Sequence, residues 1–177
     1  MNTSTLCSVV VTLCVVLISS SPMTVNAKGG LAAKLCMDTL EDKDGCMELL
    51  KQADPKIVTA KSYEELARAV LGWAVTKGTE GQIFLKGLAL VNNNPAIVQC
   101  AGFHYDGVVA SFKSAMAELK DDPQTASYDA KVASDGPAAC ERGLVAAKIN
   151  NPAIIALNRQ IVLLSTLAFL AICEYSP

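Results

Sequence analysis

The residues of this chain that could do chemistry are few. They are Cys36, Cys46, Cys100, Cys140 and Cys173, the single histidine His104, the single tryptophan Trp73, and carboxylate pairs such as Glu64-Glu65 and Asp121-Asp122. A Ser–His or Cys–His nucleophile would have to use His104. That residue falls on an apolar stripe, so the expectation is a core histidine with a local hydrogen bond. Structural zinc needs clustered thiolates and imidazoles, and the chain has one His and no CxxC. Both carboxylate pairs stand at predicted helix starts, where negative charge favours the helix dipole. No P-loop or GxGxxG occurs. Trp73 is expected in the core, and Cys173, flanked by apolar residues, is expected buried and inert. The chemistry points away from an enzyme, a metal protein or a cofactor carrier.

Residues 1–27 read as a secretory signal. Val9 to Ile18 is almost wholly apolar and too short for a bilayer span of roughly 20 residues, and Val25-Asn26-Ala27 offers the small residues of a cleavage site. An uncleaved anchor is the alternative. Cys7 and Cys14 leave with this segment, and residues 28–177 form one domain with a full core. In a secreted chain five remaining cysteines imply two bridges and one free thiol, and counting leaves the pairing open. The net charge of −2 is scattered, without a basic stripe bearing aromatics, so nucleic acid is not an expected partner. Nor is a membrane, once the signal is gone.

The elements that must position these residues are helices. Asp54-Pro55, Asn94-Pro95, Asp122-Pro123 and Asn151-Pro152 each join a side-chain acceptor to a proline, the chemistry of a helix start. Leu31 to Leu50 holds two short helical pieces broken at Glu41–Gly45, with Cys36 and Cys46 flanking a turn that ends in glycine. Ser62-Tyr-Glu-Glu65 is a capping box. From there Tyr63, Leu66, Val70 and Trp73, then Phe84, Leu88 and Val91, hold one register, which predicts one long helix weakened or kinked at Gly78 and Gly81. Ile97, Ala101, His104, Val108, Phe112, Ala115 and Leu119 line the next. A tight Lys120-Asp121-Asp122 connection makes its successor antiparallel, so Cys100 and Cys140 could meet. Asp135-Gly136-Pro137 is expected as a kink inside that successor. The last helix, Pro152 to Cys173, is apolar all round from Ile161 and is expected buried. The fold class is all-α, an up-down-up-down four-helix bundle preceded by a stapled helical hairpin.

Several of these residues resemble a known pattern. Cys36-Met-Asp-Thr39 resembles the C-x-x-T that opens the plant invertase and pectin methylesterase inhibitor family, and Cys46 falls where its second cysteine does. Ala133-Ser-Asp135-Gly-Pro-Ala-Ala-Cys140-Glu141 resembles its A-x-D-x-x-x-x-C-E segment. The similarity covers Leu31 to Cys173. It implies a secreted or vacuolar four-helix bundle with bridges Cys36–Cys46 and Cys100–Cys140, and Cys173 free. It implies inhibition by a non-covalent one-to-one complex over the cleft of a carbohydrate-active enzyme, without cofactor. The family often has Tyr four residues after the third cysteine, where this chain has His104.

Invertase inhibitors resemble one another in a Pro-Lys-Phe opening the helix after the bundle hairpin. The matching Pro123-Gln124-Thr125 keeps the proline but not the cation or the aromatic anchor, and that mode of binding loses its main contacts. The expected partner is therefore pectin methylesterase, with acid invertase as the alternative and a non-inhibitory carrier or accumulated pollen or seed protein behind both. Expected target contacts are Asp121, Asp122, Pro123, Gln124, Thr125 and Asp129, whose carboxylates could titrate at wall pH. A monomer in the apoplast is expected.

Overall fold

The structure is a computed structural model that describes residues 30–39 and 42–176. The predicted signal segment lies outside the described residues. Helices α1 (Gly30–Thr39) and α2 (Lys43–Lys51) make the N-terminal hairpin, and a short α3 (Pro55–Val58) leads into α4 (Tyr63–Val91). Next come α5 (Pro95–Gln99), a π turn (Cys100–His104) and α6 (Tyr105–Glu118), which run on as one rod. Then follow α7 (Pro123–Val132), α8 (Asp135–Ala146) and α9 (Pro152–Tyr175). Helix α4 packs on α6, α6 on α7, α7 on α9, and α9 on α4, closing an up-down-up-down four-helix bundle. The hairpin leans on α9.

All four acceptor–proline pairs cap helices. Asp54, Asn94, Asp122 and Asn151 each accept from a backbone N–H two or three residues on, and the proline takes the first helical position, where no N–H is needed. Ser62 likewise accepts from the Glu65 N–H, while Glu65 accepts from Lys61 rather than from Ser62, so the box is wider by one residue than expected. In the hairpin, Asp42 caps α2 by accepting from the Gly45 N–H. Gly45 therefore lies in the first helical turn and does not end the connection. Asp42 also receives two bonds from the Arg159 guanidinium, at 2.7 and 2.8 Å, which tie the hairpin to α9.

Two bridges close the frame, Cys36–Cys46 across the hairpin and Cys100–Cys140 between the π turn and α8. Between them lies a core of Leu, Ile, Val and Ala around Phe112 and Tyr105, both fully buried. Each buried Leu or Ile contributes roughly 1.5–3 kcal/mol of transfer free energy. The 24-residue α9 is long and apolar enough to cross a membrane by length and composition. Within the bundle its apolarity has a simpler cause, since Ile161, Leu164, Leu167, Ala168 and Ile172 are fully enclosed.

Several expectations fail, each for a tertiary reason. Helix α4 is the one long helix expected, but its inner face passes from Ala74 through Gly78 and Gly81 to Leu85. A Cβ on Gly81 would sit 2.7 Å from Leu157 and 3.0 Å from Tyr105, so the glycine admits α9 and α6 at close range. With the stripe running there, Phe84 is exposed, and Trp73 is half-buried, packed against the edge of the core rather than enclosed in it. The run after Pro123 is two helices, because the chain turns at Ala133–Ser134 and restarts. Pro137 then falls in the first turn of α8, where its missing N–H costs nothing. Gly136 presses on the His104 carbonyl, 2.6 Å from where a Cβ would be. Cys173 is exposed, since it lies on the outer side of α9.

His104 is the most instructive miss. The half-buried imidazole leaves the inner face to Tyr105. Cys100 and Tyr105 are both fully enclosed and stand five residues apart, one π turn, with the Tyr105 N–H bonded to the Cys100 carbonyl. An α-helix would turn one of them away. The tyrosine that the resembled pattern places four residues after the third cysteine stands five after it here, and the wider turn returns it to the core. There its hydroxyl donates to Asn158 Oδ1 at 2.8 Å.

Candidate functional site

The tip between α6 and α7 is built by local chemistry. Leu119 is buried and anchors the end of α6, and the Asp121 and Asp122 N–H groups both bond back to the Glu118 carbonyl. Asp122 then accepts from the Thr125 N–H at 3.0 Å and the Thr125 hydroxyl at 2.7 Å. These bonds, the Thr125 hydroxyl first, hold the Asp122 carboxyl below its ordinary value, so it stays ionised in mildly acidic solution. On the inner side, Ala126 and Ala130 are fully buried, and the Ser165 hydroxyl donates to the Ala130 carbonyl at 2.7 Å, locking α7 to α9.

The outer side is what remains. Asp121, Asp122, Gln124 and Thr125 are exposed and adjacent, Pro123 is half-buried as the first helical residue, and Asp129, expected exposed, is half-buried on the flank. Tyr128, which the sequence reading passed over, is 67% exposed and shares the face of Gln124 and Thr125. Its signal was available, as an aromatic three and four residues beyond two predicted contacts. The tip thus offers carboxylate and amide acceptors, amide donors and one amphipathic ring held on a rigid helix end. That is the equipment of a binding surface. Among the described residues no group of three or more His, Cys, Asp or Glu side chains could hold a metal ion.

Other concavities are open grooves with mixed lining. One of about 790 Å³ lies between the π turn and α8 and includes Phe103, 82% exposed, with His104 and Arg142. Burial, and then the Arg142 charge, hold the His104 imidazole below its ordinary value. Another, of about 590 Å³, runs between α2, α4 and α9 past Arg159. A third, of about 630 Å³, follows α3 and the first half of α4, with Trp73 in its wall.

Fold and surface together define a class, a doubly bridged all-α bundle presenting a capped polar hairpin tip. No protein-family model matches the chain, and no curated protein matches it by sequence. Among solved structures, a mutant form of a pectin methylesterase inhibitor from Arabidopsis is similar to it. The TM-score is 0.68 at 16% identity, covering 82% of this chain and 97% of that chain. This chain has the fold of that inhibitor.

Proposed function

We propose that this chain is a secreted protein inhibitor of pectin methylesterase that acts by covering the enzyme's cleft in a one-to-one, non-covalent complex. The observation that carries the reading is the correspondence of nearly the whole inhibitor chain to this one. The two bridges suit an oxidising compartment, and the monomer is the binding form. The tip residues Asp121, Gln124, Thr125 and Tyr128 meet the enzyme, with Asp122 and Pro123 holding the helix end beneath them and Asp129 at the rim. Rigid capping lowers the ordering cost of association. A carrier would need an enclosed apolar chamber for its cargo, whereas the grooves described above are open to solvent and mix apolar with charged side chains.

The test is to titrate residues 28–177, with both bridges formed, into a plant pectin methylesterase and an acid invertase at mildly acidic pH. Stoichiometric loss of methylesterase activity alone is expected. Loss of invertase activity alone would transfer the reading to that enzyme, and full activity of both would overturn inhibition.

A further inference from the structure

The groove along α3 and α4 carries a chemistry that the inhibitor reading does not use. Its wall holds the chain's only tryptophan, half-buried. Trp73 packs one side against the core and is only partly buried, and its indole N–H makes no intramolecular hydrogen bond among the described residues, so the remaining surface of the ring and a donor are on offer. The acidic and hydroxyl side chains lining the groove have spent only part of their capacity. Asp54 accepts from the Lys56 N–H at 2.8 Å and Glu65 from the Lys61 N–H at 2.8 Å. The Thr59 and Thr76 hydroxyls donate to the Pro55 and Gly72 carbonyls, which leaves their oxygens free to accept. The groove therefore presents several acceptors for hydroxyl donors. It also presents two cations. Lys56 makes no ion pair among the described residues, and Arg68 makes a single 3.4 Å contact with Glu64 in which both side chains are about half exposed.

An aromatic wall, acceptors for hydroxyls and two available cations match one kind of ligand, a hydroxylated six-membered ring bearing a carboxylate. We infer that this groove is a binding site for acidic saccharide, with a uronate ring against Trp73, its hydroxyls on the Asp54, Glu65 and threonine oxygens, and its carboxylate between Lys56 and Arg68. The volume of about 630 Å³ suits a short oligomer. The site lies on the α3–α4 side and shares no residue with the α6–α7 tip.

Trp73 reports its own ligand, because its emission is the only tryptophan signal in the chain. Residues 28–177 are titrated, without any enzyme, with trigalacturonate, its methyl ester, and a neutral galactose trimer. A saturable change with the free acid is expected, at least about tenfold weaker with the ester and the neutral sugar, the loss of one charge-assisted hydrogen bond. K56Q and R68Q should each weaken the acid about tenfold without changing Tm, and W73A, whose ring also packs on the core, should weaken it by at least as much in calorimetry. No saturable change with the free acid would overturn the site. Equal binding of acid and ester, or native affinity in both K56Q and R68Q, would overturn its acidic specificity and with it the proposal. Because no enzyme is present, either failure leaves the inhibition test untouched.

Discussion

At the scale of single residues the structure separates holding from touching. Asp122 is the clearest case, since its carboxylate is exposed yet engaged by Thr125. D122A should lower Tm by about 2–4 °C, as loss of an N-cap does, while D121A leaves it unchanged; calorimetry decides. The pH dependence has a definite sign. A folded-state value depressed below 3.8 makes this contribution fully present above that value, and it is lost as pH falls through the lower folded one. The cap should therefore survive mild acid and fail only in strong acid, visible as a D122A difference that vanishes there. His104 carries the same sign at a higher window, favouring the fold above its ordinary 6.5 and less as pH falls. The buried pair Tyr105–Asn158 is costlier to disturb. Asn158 Nδ2 is buried with no hydrogen-bond partner among the described residues, and Y105F also strands Oδ1. A loss of about 1–3 kcal/mol in urea unfolding is expected, with much of it returned in Y105F/N158L, where both partners become apolar.

At the scale of elements the question is what fixes each helix on its neighbour. Helix α4 approaches α6 and α9 at Gly81, so G81A should cost about 1–3 kcal/mol by overpacking. G87A, exposed on the same helix with nothing within 4 Å of its Cβ, should instead stabilise by about 0.4–1 kcal/mol through the unfolded chain. Both shifts are read from denaturant midpoints at constant slope. The bridges differ in reach, with sequence separations of 10 and 40. On the loop-entropy account removal of Cys36–Cys46 costs about 3 kcal/mol and removal of Cys100–Cys140 about 4. The second also ties the π turn to α8, so C100A/C140A should loosen Tyr105 as well, seen as lost hydrogen-exchange protection in α6.

At the scale of the whole molecule two surfaces share no residue, the tip at one end of the α6–α7 pair and the tryptophan groove on the α3–α4 side, whose Gly72 faces Met116 near the end of α6. If the tip is the inhibitory face, D121A/Q124A/T125A/Y128A should weaken inhibition of pectin methylesterase at least tenfold while lowering Tm no more than D122A does, since T125A removes one bond of the cap, Y128A alone giving most of the lost inhibition as the aromatic anchor. Native inhibition by the quadruple variant would move the interface elsewhere on the bundle. The groove variants K56Q and R68Q should leave inhibition intact.

Much of this molecule was legible in its residues alone. The helix starts at Pro55, Pro95, Pro123 and Pro152 follow from an acceptor and a proline side by side, chemistry that is complete within three residues. The bundle follows from apolar spacing and short connections, because antiparallel neighbours are the only way to bury such stripes. What the residues could not decide is whatever depends on a neighbour. Cys100 and Tyr105 share an inner face only through a π turn that the bridge and Asn158 make worthwhile. The α4 face runs through two glycines, not Trp73 and Phe84, because Tyr105, Val108 and Leu157 press there. Tyr128 and Cys173 are exposed because other positions of α7 and α9 meet the core. Local bonds write the elements, and packing chooses which side of each one faces the solvent.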